Sequence, residues 1–507
     1  MKYRVETDSL GEVQVPMQRL YAAQTERSLH NFSIGQEVMP LEVIKALVLI
    51  KTAAADINLK RGYIPVSVGA AVSFAGKLIM DNFTCFVPEF PLHVWQTGSG
   101  TQSNMNVNEV MANLATLFLY LKQEQPTLSD DAAAEQLLDL LGTEKVGELL
   151  QKAEIKVLPN DHVNCSQSSN DTFPTAMHIV AYSDLAQLKI SLRRMIKTFD
   201  PLISRYKHTY KSARTHLQDA VPMSFGQELS GWQALLIEAE TAIKNIEPSL
   251  LSVALGATAC GTGLNTPDNF SEDVLQLINE LLQERERNSA AVSPFNFRKS
   301  TNLFAALSGK TALTACHGVL QALAADLFKI ANDIRYLASG PRLGYGEIKI
   351  PANEPGSSIM PGKVNPTQAE AMTMVATQVI ANNQAIAMAA ANGQFQLNVY
   401  MPLEIYNFHQ SCRLLNETIS SFTDHLLVGL EANCAKMQAN FNASLMNVTA
   451  LSPKIGYKKA AELAQEAHKN GLTLLEVVLK NKLMSREEYE KLMDPEKLSY
   501  PHGEMLS

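Results

Sequence analysis

Apolar side chains recur every three or four positions over long stretches in the middle of the chain. One series comprises Leu313, Cys316, Leu320, Leu323, Leu327, Ile330, Ile334 and Leu337. Two further series comprise Leu185, Leu188, Leu192, Met195, Phe199 and Leu202, and Leu229, Trp232, Leu236, Ala239, Ile243, Ile246 and Leu250. This spacing places the side chains on one face of an α-helix, so it predicts long helices packed along their length. Pro201 and Pro248 should stop or kink two of them.

The chain on either side of this middle part also has a helical pattern, but in shorter pieces. Residues 41–59 predict a helix within a mixed, mostly helical region. Residues 122–154 are acidic and amphipathic, and they predict a surface helical hairpin in which Ser129 and Gly142 cap the first helix and Thr143 begins the second. Near the C-terminus, Gly471 should end a helix over residues 457–470.

These patterns predict a mainly α protein with a central bundle of long helices, a type of core that other subunits can complete. We expect a domain at residues 1–167 that includes the hairpin at 122–154. A central domain at 168–430 and a small helical domain at 431–507 follow it.

The composition is typical of a soluble globular protein, with 46% hydrophobic and 19% charged residues. The net charge of -8 does not favour a nucleic-acid or anionic-membrane partner, so any attraction for an anion must be local. Residues 371–403 contain no Asp, Glu, Lys or Arg, but several Asn and Gln side chains there favour a buried helix over a membrane span.

The cysteines and the N-terminus both indicate an intracellular protein. The six cysteines are far apart and form no CxxC pair, so we interpret them as buried thiols in a reducing compartment and expect no metal site among them. The first thirty residues contain no apolar segment typical of a signal peptide. We therefore expect a cytoplasmic protein.

Polar clusters interrupt the helical pattern at four places. The first, residues 96–104, is a glycine-punctuated run of hydroxyls and amides that does not match a phosphate-binding loop, and a solvated turn is its simplest alternative. The second, residues 159–171, contains Asn170 and Asp171, either of which could instead be the N-cap of the following helix. A helix N-terminus rich in donors is also a carboxylate site, so both interpretations are compatible.

The third and fourth clusters carry the groups most able to move a proton. Residues 214–219 contain His216, although a single His is more often structural. Residues 356–366 combine glycines and prolines with Ser357, Ser358, Lys363 and Asn365, and Glu370 follows. A mobile surface turn is the alternative for this segment. Hydroxyls, amides, one Lys, one His and one Glu suit proton transfer beside a carboxylate, where charge must be stabilised on a carbanion.

Together and in this order, these segments resemble the fumarase/aspartase superfamily, and most closely class II fumarate hydratases. The resemblance extends from residues 8–11 and 24–28 to residues 448–451 and 471–474. Gly362, Thr367 and Gln368 in the fourth cluster, with residues 98–102 and 166–170, resemble fumarases more than aspartases. A hydratase is therefore favoured over an aspartate ammonia-lyase, which remains an alternative, as does a noncatalytic scaffold that keeps the fold.

The resemblance implies a three-domain subunit in a homotetramer with a tetrameric helical core. Each active site would be built from three subunits. It also implies reversible anti addition of water to fumarate, giving L-malate in the tricarboxylic acid cycle, with a dicarboxylate as the small-molecule partner and no metal or organic cofactor.

The resemblance also implies roles for individual residues. Ser357 matches the base that takes the C3 proton of malate, and Lys363 should stabilise the aci-carboxylate that then forms. His216 matches the residue that handles water or hydroxide, and Glu370 matches the carboxylate that orients it. The positions that match substrate-binding residues are Ser99, Gly100, Thr101, Ser168, Ser169, Asn170, Thr215, Ser358, Lys363, Val364 and Asn365.

The chain departs from the family pattern at two places. Ile155 and Leu158 replace a basic residue and a His that commonly precede the Pro-Asn-Asp stretch, where the family has a second anion site. Asn160 and Asp161 of that site remain, but we do not expect them to bind dicarboxylates alone. The acidic hairpin at 122–154 is also longer than the usual connection in the family.

Overall fold

The computed structural model describes residues 2–285 and 294–502, and these are mainly helical, as the sequence predicts. They form two compact units, and each boundary between them falls inside a long helix. Unit 1 comprises Met1–Leu188, Ile243–Gln321 and Val379–Arg413. Unit 2 comprises Lys189–Ala242, Ala322–Gln378 and Leu414–Ser507. The three-domain division stays a prediction.

The helices follow the chain in this order. The first ten are α1 (Ala23–Asn31), α2 (Leu41–Lys60), α3 (Val66–Asp81), α4 (Phe83–Phe86), α5 (Thr101–Glu124), α6 (Asp130–Leu140), α7 (Lys145–Lys152), α8 (Ser169–Tyr206), α9 (Phe225–Ile246) and α10 (Phe270–Arg285). The others are α11 (Leu303–Ser308), α12 (Thr311–Leu337), α13 (Thr367–Ala390), α14 (Met401–Phe422), α15 (Cys434–Ala443), α16 (Ser452–Ile455), α17 (Tyr457–Asn470), α18 (Leu474–Lys480), α19 (Arg486–Leu492) and α20 (Pro495–Ser499).

The strands form small two-stranded sheets. They are β1 (Tyr3–Asp8), β2 (Gly11–Pro16), β3 (Tyr210–Thr215), β4 (Gln218–Ser224), β5 (Ser252–Val253), β6 (Arg298–Lys299), β7 (Ile348–Lys349), β8 (Gly393–Gln394), β9 (Leu397–Asn398) and β10 (Glu431–Ala432). Antiparallel pairs join β1 with β2, β3 with β4, β7 with β10 and β8 with β9, whereas β5 and β6 are parallel.

The long helices α8, α9 and α12 confirm the prediction from apolar spacing. The whole α12 series is buried, and so is the α8 series. Helix α8 continues past Pro201 to Tyr206, so this proline does not stop the helix, and a kink at Pro201 stays a prediction. Pro248 does follow the end of α9, in a 3-10 turn. By length and hydropathy alone α12 could cross a bilayer, but its buried apolar series is that of a core helix.

Helix α13 covers much of the segment 371–403, for which the sequence predicts a buried, uncharged helix. Its residues Met372, Ala376 and Val379 are buried, so one face packs as expected. Met374 and Met388, however, are 68% and 71% exposed in the single chain. Only one face of this helix is therefore buried within the subunit.

Unit 1 contains the N-terminal elements, which pack around α2, α3 and α5. The β1–β2 hairpin is fixed by Arg4, whose guanidinium donates to the carbonyl oxygens of Pro16, Arg19 and Tyr21 at 2.9, 2.7 and 2.8 Å. Arg4 is only 2% exposed, so these charge-assisted bonds compensate for its burial.

The two helices predicted within residues 122–154 are present as α6 and α7, and both pack against α5, so their pairing as a hairpin stays a prediction. Ser129 caps α6 by accepting from the backbone N–H of Ala132 at 3.2 Å, and Gly142 follows that helix with φ +74°. Thr143 does not begin α7, which starts at Lys145. The Thr143 hydroxyl instead donates to the Leu140 carbonyl oxygen at 2.7 Å, so it closes the end of α6.

In unit 2, the C-terminal helices enclose their own hydrophobic cluster, which includes Leu463, Val477 and Val478. Helix α17 spans the predicted residues, and Gly471 ends it in the left-handed conformation.

The cysteines are all free, as predicted, but they are not all buried. Cys316 and Cys412 lie on the core faces of α12 and α14, whereas Cys85 and Cys434 are exposed. The burial of a side chain this small depends on the helix face that carries it. Wide spacing along the sequence gives no information on that face.

Candidate active site

Two helices of unit 1 begin side by side, and their first residues are in contact. Thr101 begins α5 and Ser169 begins α8, and their hydroxyl oxygens are 2.9 Å apart. The Ser99 hydroxyl lies 2.8 Å from that of Thr101. Helix N-termini carry partial positive charge and free N–H groups. Three hydroxyls beside two such termini therefore make a site suited to a carboxylate.

Glycines shape the chain that leads into α5. A β-carbon on residue 98 would overlap the carbonyl oxygen of Val399, and the Gly98 carbonyl in turn accepts from the N–H of Met401 at 2.9 Å. Gly100 has φ +71°, and a β-carbon there would overlap the Phe173 ring. Both positions therefore require glycine, which explains why the hydroxyls of this cluster alternate with glycines.

The start of α8 differs from the predicted cap. The helix begins at Ser169, and the preceding Ser168 accepts from the N–H of Asn170 at 3.2 Å while its own N–H donates to Asp171 Oδ1 at 2.9 Å. Asn170 and Asp171 are thus inside the first turn rather than caps, because the Ser168 hydroxyl binds the N–H of Asn170 while the Asp171 carboxylate reaches back to the N–H of Ser168. The Asn170 amide donates to the carbonyl oxygen of Ala259 at 2.8 Å.

Asp171 ties this turn to a second loop of unit 1. Its Oδ2 accepts from the N–H groups of Gly256 and Thr258 at 3.1 and 2.9 Å. Burial raises the pKa of the Asp171 carboxyl to about 6, although the backbone donors from Ser168, Thr258 and Gly256 oppose that shift.

A buried polar network lies among α2, α5 and the chain before α8, and its central cation was not expected from the sequence. Lys51 is fully buried, and its ammonium donates to Asn164 Oδ1 at 3.1 Å. The same oxygen accepts from the amides of Asn104 and Asn108 at 3.2 Å each. Burial lowers the pKa of Lys51 to about 7, and the charge of Asp171 opposes this shift. The sequence did contain one sign of this buried residue, since Lys51 is a lysine within the apolar series of α2.

In unit 2, His216 lies at the tip of the β3–β4 hairpin. Thr215 pairs with Gln218, so His216 and Leu217 form a two-residue turn, with φ of 56° and 60°. Thr215 and His216 are exposed. Left-handed conformations at two successive residues other than glycine are strained, and such strain persists only where the surroundings fix it.

A buried carboxylate lies beside the base of this turn. The Arg214 guanidinium donates to both oxygens of Glu347, at 3.0 and 2.5 Å, and the Lys211 ammonium lies 3.0 Å from Glu347 Oε2. Glu347 is fully buried, which by itself would raise its pKa, but Arg214, Lys211 and the Asn440 amide hold the pKa at about 2. Sequence reasoning missed Glu347, because its partners are far away along the chain.

The signature loop at 356–366 is closed by its own hydrogen bonds. The N–H of Gly356 donates to the Lys363 carbonyl oxygen at 3.0 Å, and the Asn365 amide donates to the Gly356 carbonyl oxygen at 2.6 Å. A β-carbon on residue 356 would overlap the Lys363 carbonyl oxygen, and Gly362 has φ +78°. Both glycines are therefore needed for the loop to turn back on itself.

Ser357 has a distinctive environment within this loop. Its hydroxyl oxygen accepts from the N–H groups of Ile359 and Met360, both at 3.1 Å. Two backbone donors on one serine oxygen stabilise negative charge on that oxygen. Ser358, Lys363 and Val364 are exposed, and Glu370, in the first turn of α13, is half-buried.

The structure brings some of the predicted residues together within the subunit, and others not. Ser99, Thr101, Ser168, Ser169 and Asn170 are assembled in unit 1 at the two helix N-termini. In the described part of the chain, no ion pair joins His216 to Glu370, and no hydrogen bond joins His216 to the signature loop.

The residues of the predicted second anion site lie in a short π-helical turn, Pro159–Val163. Asn160 and Asp161 are exposed, and Asn160 borders a cavity of about 290 Å³ together with Arg4 and Lys156. The N–H of Leu158 donates to Nδ1 of His162, in the same turn, at 2.9 Å. This contact occupies one of its ring nitrogens.

Comparison with known proteins decides the family. A "Lyase" family model matches residues 11–381, and a "Fumarase C C-terminus" model matches residues 448–499. A class II fumarate hydratase from Halalkalibacterium halodurans is 46% identical, over 99% of this chain and all of that protein. The chain belongs to the class II fumarase family.

Solved structures of this family have the same fold. A class II fumarase from Schistosoma mansoni has a TM-score of 0.89 and 38% identity, covering 99% of this chain and all of that chain. A fumarate lyase from Brucella melitensis, described as bound to cobalt, has a TM-score of 0.85 and 35% identity, covering 98% of this chain and all of that chain. The family resemblance inferred from the sequence motifs is thereby confirmed.

Proposed function

We propose that this chain is a fumarate hydratase that catalyses the reversible anti addition of water to fumarate, giving L-malate. The observation that carries this proposal is the Ser357 hydroxyl, which accepts two backbone N–H groups in a loop that also contains Lys363. A serine is a poor base unless its alkoxide is stabilised. The two donors supply part of that stabilisation, and Lys363 of the same loop carries the positive charge that would supply the rest.

In the malate-to-fumarate direction, the Ser357 alkoxide takes the proton from C3. The electron pair of that C–H bond moves into the adjacent carboxylate, which becomes an aci-carboxylate with an additional negative charge. Lys363 stabilises that charge. The C2–O bond then breaks, the C2–C3 double bond forms, and hydroxide leaves as water after protonation by His216. Glu370 orients the imidazole.

The remaining site residues bind the two carboxylates of the substrate. Ser99, Gly100 and Thr101 at the start of α5, with Ser168, Ser169 and Asn170 at the start of α8, would receive one carboxylate at the paired helix N-termini. Thr215, Ser358, Val364 and Asn365 would contact the substrate from the hairpin and the signature loop. Closure of that loop would exclude water other than the reactant.

The active enzyme would be a homotetramer in which three subunits contribute to each site. Exposed apolar side chains on long helices support this part of the proposal: Ile237 on α9, Phe328 on α12 and Met374 on α13 are 44%, 37% and 68% exposed. Copies of the same helices packed against them would cover these faces. Such packing would also bring Ser357 of one subunit to the His216 and Asn170 of others.

The proposed reaction requires no metal or organic cofactor, because proton transfer and charge stabilisation are all supplied by side chains and backbone donors. We place the enzyme in the cytoplasm, acting in the tricarboxylic acid cycle on a free dicarboxylate. We do not assign dicarboxylate binding to the second anion site, since Ile155 and Leu158 supply neither charge nor hydrogen bonds there.

An absorbance assay tests the proposal. Purified protein treated with a chelator should remove the ultraviolet absorbance of fumarate and produce malate, and a failure to do so would refute it. Release of ammonia from aspartate, without malate turnover, would establish the ammonia-lyase alternative.

Two variants test the assigned residues. Ser357→Ala and His216→Asn should each lower kcat by orders of magnitude while the tetramer persists, as judged by light scattering. Ser308→Ala and His468→Asn, which change the same residue types outside the proposed site, are the matched controls. A noncatalytic scaffold would show no turnover in any of these proteins, including the unmodified one.

A further inference from the structure

The turn that carries His216 is held in a conformation that its own residues disfavour. His216 and Leu217 both have positive φ, at 56° and 60°. Tight hairpin turns of this kind favour Asn-Gly or Gly-Gly, because a β-carbon is strained in the left-handed region. Here the two positions hold an imidazole and a branched apolar side chain. Leu217 is also 58% exposed, so its own packing contributes little to fixing the turn.

The ion-pair attachment nearest to the turn lies two residues before it. Arg214 makes a two-pronged contact with Glu347, at 3.0 and 2.5 Å, and its guanidinium lies 4.4 Å from the centre of the Tyr345 ring. A two-pronged ion pair fixes the direction of the arginine side chain as well as its distance. The pairing of β3 with β4 is irregular between Ser212 and Arg214, so the strand ladder alone does not fix the tip.

Glu347 is itself firmly held within unit 2. Its N–H donates to the Leu337 carbonyl oxygen, and its carbonyl oxygen accepts from the N–H of Asn433, both at 2.8 Å. The Asn440 amide donates to Glu347 Oε1 at 2.8 Å. The backbone of Glu347 is therefore anchored to the end of α12 and its carboxylate to α15, so the carboxylate offers the hairpin a fixed point.

Lys211 contacts the same carboxylate but lies further from the turn. Its ammonium is 3.0 Å from Glu347 Oε2 and 2.6 Å from Glu228 Oε2. Lys211 is 1% exposed, so it is as much part of the buried ion cluster as Arg214. The charges that face Glu347 are therefore Arg214 and Lys211, with Glu228 as the second anion of the cluster.

We propose that the Arg214–Glu347 ion pair is a positioning device, which keeps the His216–Leu217 turn left-handed and so aims the imidazole at the substrate. The proposal rests on the proposed function, in which His216 is the acid/base group. Arg214 and Glu347 act through His216 and need not touch the substrate.

Arg214→Met tests the proposal directly. We expect kcat to fall by about 100-fold, the loss typical of a small displacement of a catalytic group. Amide exchange measured by mass spectrometry should become faster in the hairpin peptide covering residues 210–224. Arg214→Lys keeps the charge but not the two-pronged geometry, so it should show a smaller change of the same kind.

Two further variants separate positioning from stability. Lys211→Met removes a charge from the same carboxylate, so it should lower Tm about as much as Arg214→Met, yet keep kcat within about threefold of the unmodified enzyme. Adding Leu217→Gly to Arg214→Met lowers the strain of the turn, so it should restore kcat at least about tenfold.

The proposal is overturned if Arg214→Met leaves both kcat and hairpin exchange unchanged, or if Lys211→Met loses as much kcat as Arg214→Met. It is also overturned if Leu217→Gly restores nothing. If the Arg214→Met protein does not fold, the single variant Arg214→Lys is compared instead with the double variant Arg214→Lys/Leu217→Gly. The same recovery of kcat is then expected in the double variant. Absence of turnover in the unmodified protein would refute the proposed function, whereas the exchange measurement would still decide whether the ion pair fixes the turn.

Discussion

His409, in unit 1, lies between the carboxyl groups of Asp184 and Glu42, and its contribution to the stability of the protein can be measured. Its Nδ1 is 2.9 Å from Asp184 Oδ2, and its Nε2 is 3.2 Å from Glu42 Oε2. Burial opposes charge on the imidazole, but the hydrogen bonds to Asp184 and Glu42 and their negative charges raise its pKa to about 10. The hydrogen bond with His409 lowers the pKa of Glu42 to about 2. At neutral pH His409 is therefore an imidazolium beside the Glu42 carboxylate, with the Asp184 side chain on its other side.

Replacing His409 with Leu should be strongly destabilising. A pKa raised from 6.5 to about 10 corresponds to roughly 5 kcal/mol of stabilisation at most. The buried Asp184, whose pKa burial raises, works against this. Loss of one partner from a buried ion pair costs about 3 to 5 kcal/mol, so we expect that range. A chain of 507 residues has an unfolding entropy of about 1 kcal/mol/K, which converts the loss into roughly 3 to 5 °C in Tm.

The effect should depend on pH in a definite direction. Because the folded pKa of His409 is above its unfolded value of 6.5, its contribution is fully present below pH 6.5 and is lost as the pH rises towards 10. The contribution of Glu42, whose pKa is lowered from 4.5, is present above pH 4.5 and is lost as the pH falls towards 2. Ionisation of Asp184 has the opposite sign and costs stability above pH 3.8. The Tm of the His409→Leu variant should therefore differ most from that of the unmodified protein between pH 4.5 and pH 6.5.

Calorimetry or scanning fluorimetry of the protein at about pH 6 and about pH 9.5 provides the measurement. Tm of His409→Leu should be lower by several degrees at the lower pH, and the difference should shrink at the higher one. The double variant His409→Leu/Asp184→Asn should recover part of the loss, because it removes the unpaired carboxylate. His468→Leu, at an exposed histidine of α17, is the control. A difference that is the same at both pH values, or no larger than that of the control, would refute the assignment of charges.

Two further predictions concern the site itself. Gly98→Ala should lower Tm and abolish fumarate turnover, because its β-carbon would overlap the Val399 carbonyl oxygen. Gly318→Ala, where a β-carbon meets open space, should have no such effect; equal losses in both would contradict the packing around residue 98. Lys363→Met should lower kcat by more than about 100-fold while KM for malate changes by less than about tenfold, as steady-state kinetics would show. A change in KM alone would mean that Lys363 binds the substrate without stabilising the transition state.

The helices were predictable because their apolar periodicity is a local property. The series in α8, α9 and α12 needs only the three- and four-residue spacing, and the glycine after α17 marks its end without tertiary information. The ends of helices were less predictable, because several nearby side chains can bind the same backbone N–H or carbonyl groups. Ser168 caps α8 two residues before Asn170, and the Thr143 hydroxyl closes α6 rather than opening α7.

The sequence predicted which segments form the candidate site, but it did not predict the hydrogen bonds and contacts within and between those segments. Glycines and prolines marked residues 356–366 as a loop, yet the two N–H groups on Ser357 depend on how the loop turns. The contact between Thr101 and Ser169 joins positions that are distant along the chain. Glu347 and Lys51 were missed for a related reason. Single charged residues have no periodicity, and only the fold shows that they are buried beside partners.

The self-closing hydrogen bonds of the signature loop have a practical consequence for engineering. Gly356, Lys363 and Asn365 bind one another, so the internal shape of the segment is encoded within the segment. Relatives could therefore exchange this stretch as a cassette, and chimaeras would keep the amide donors around Ser357 whatever scaffold receives them. Differences in turnover among such chimaeras would then report on the recipient scaffold rather than on the transplanted serine.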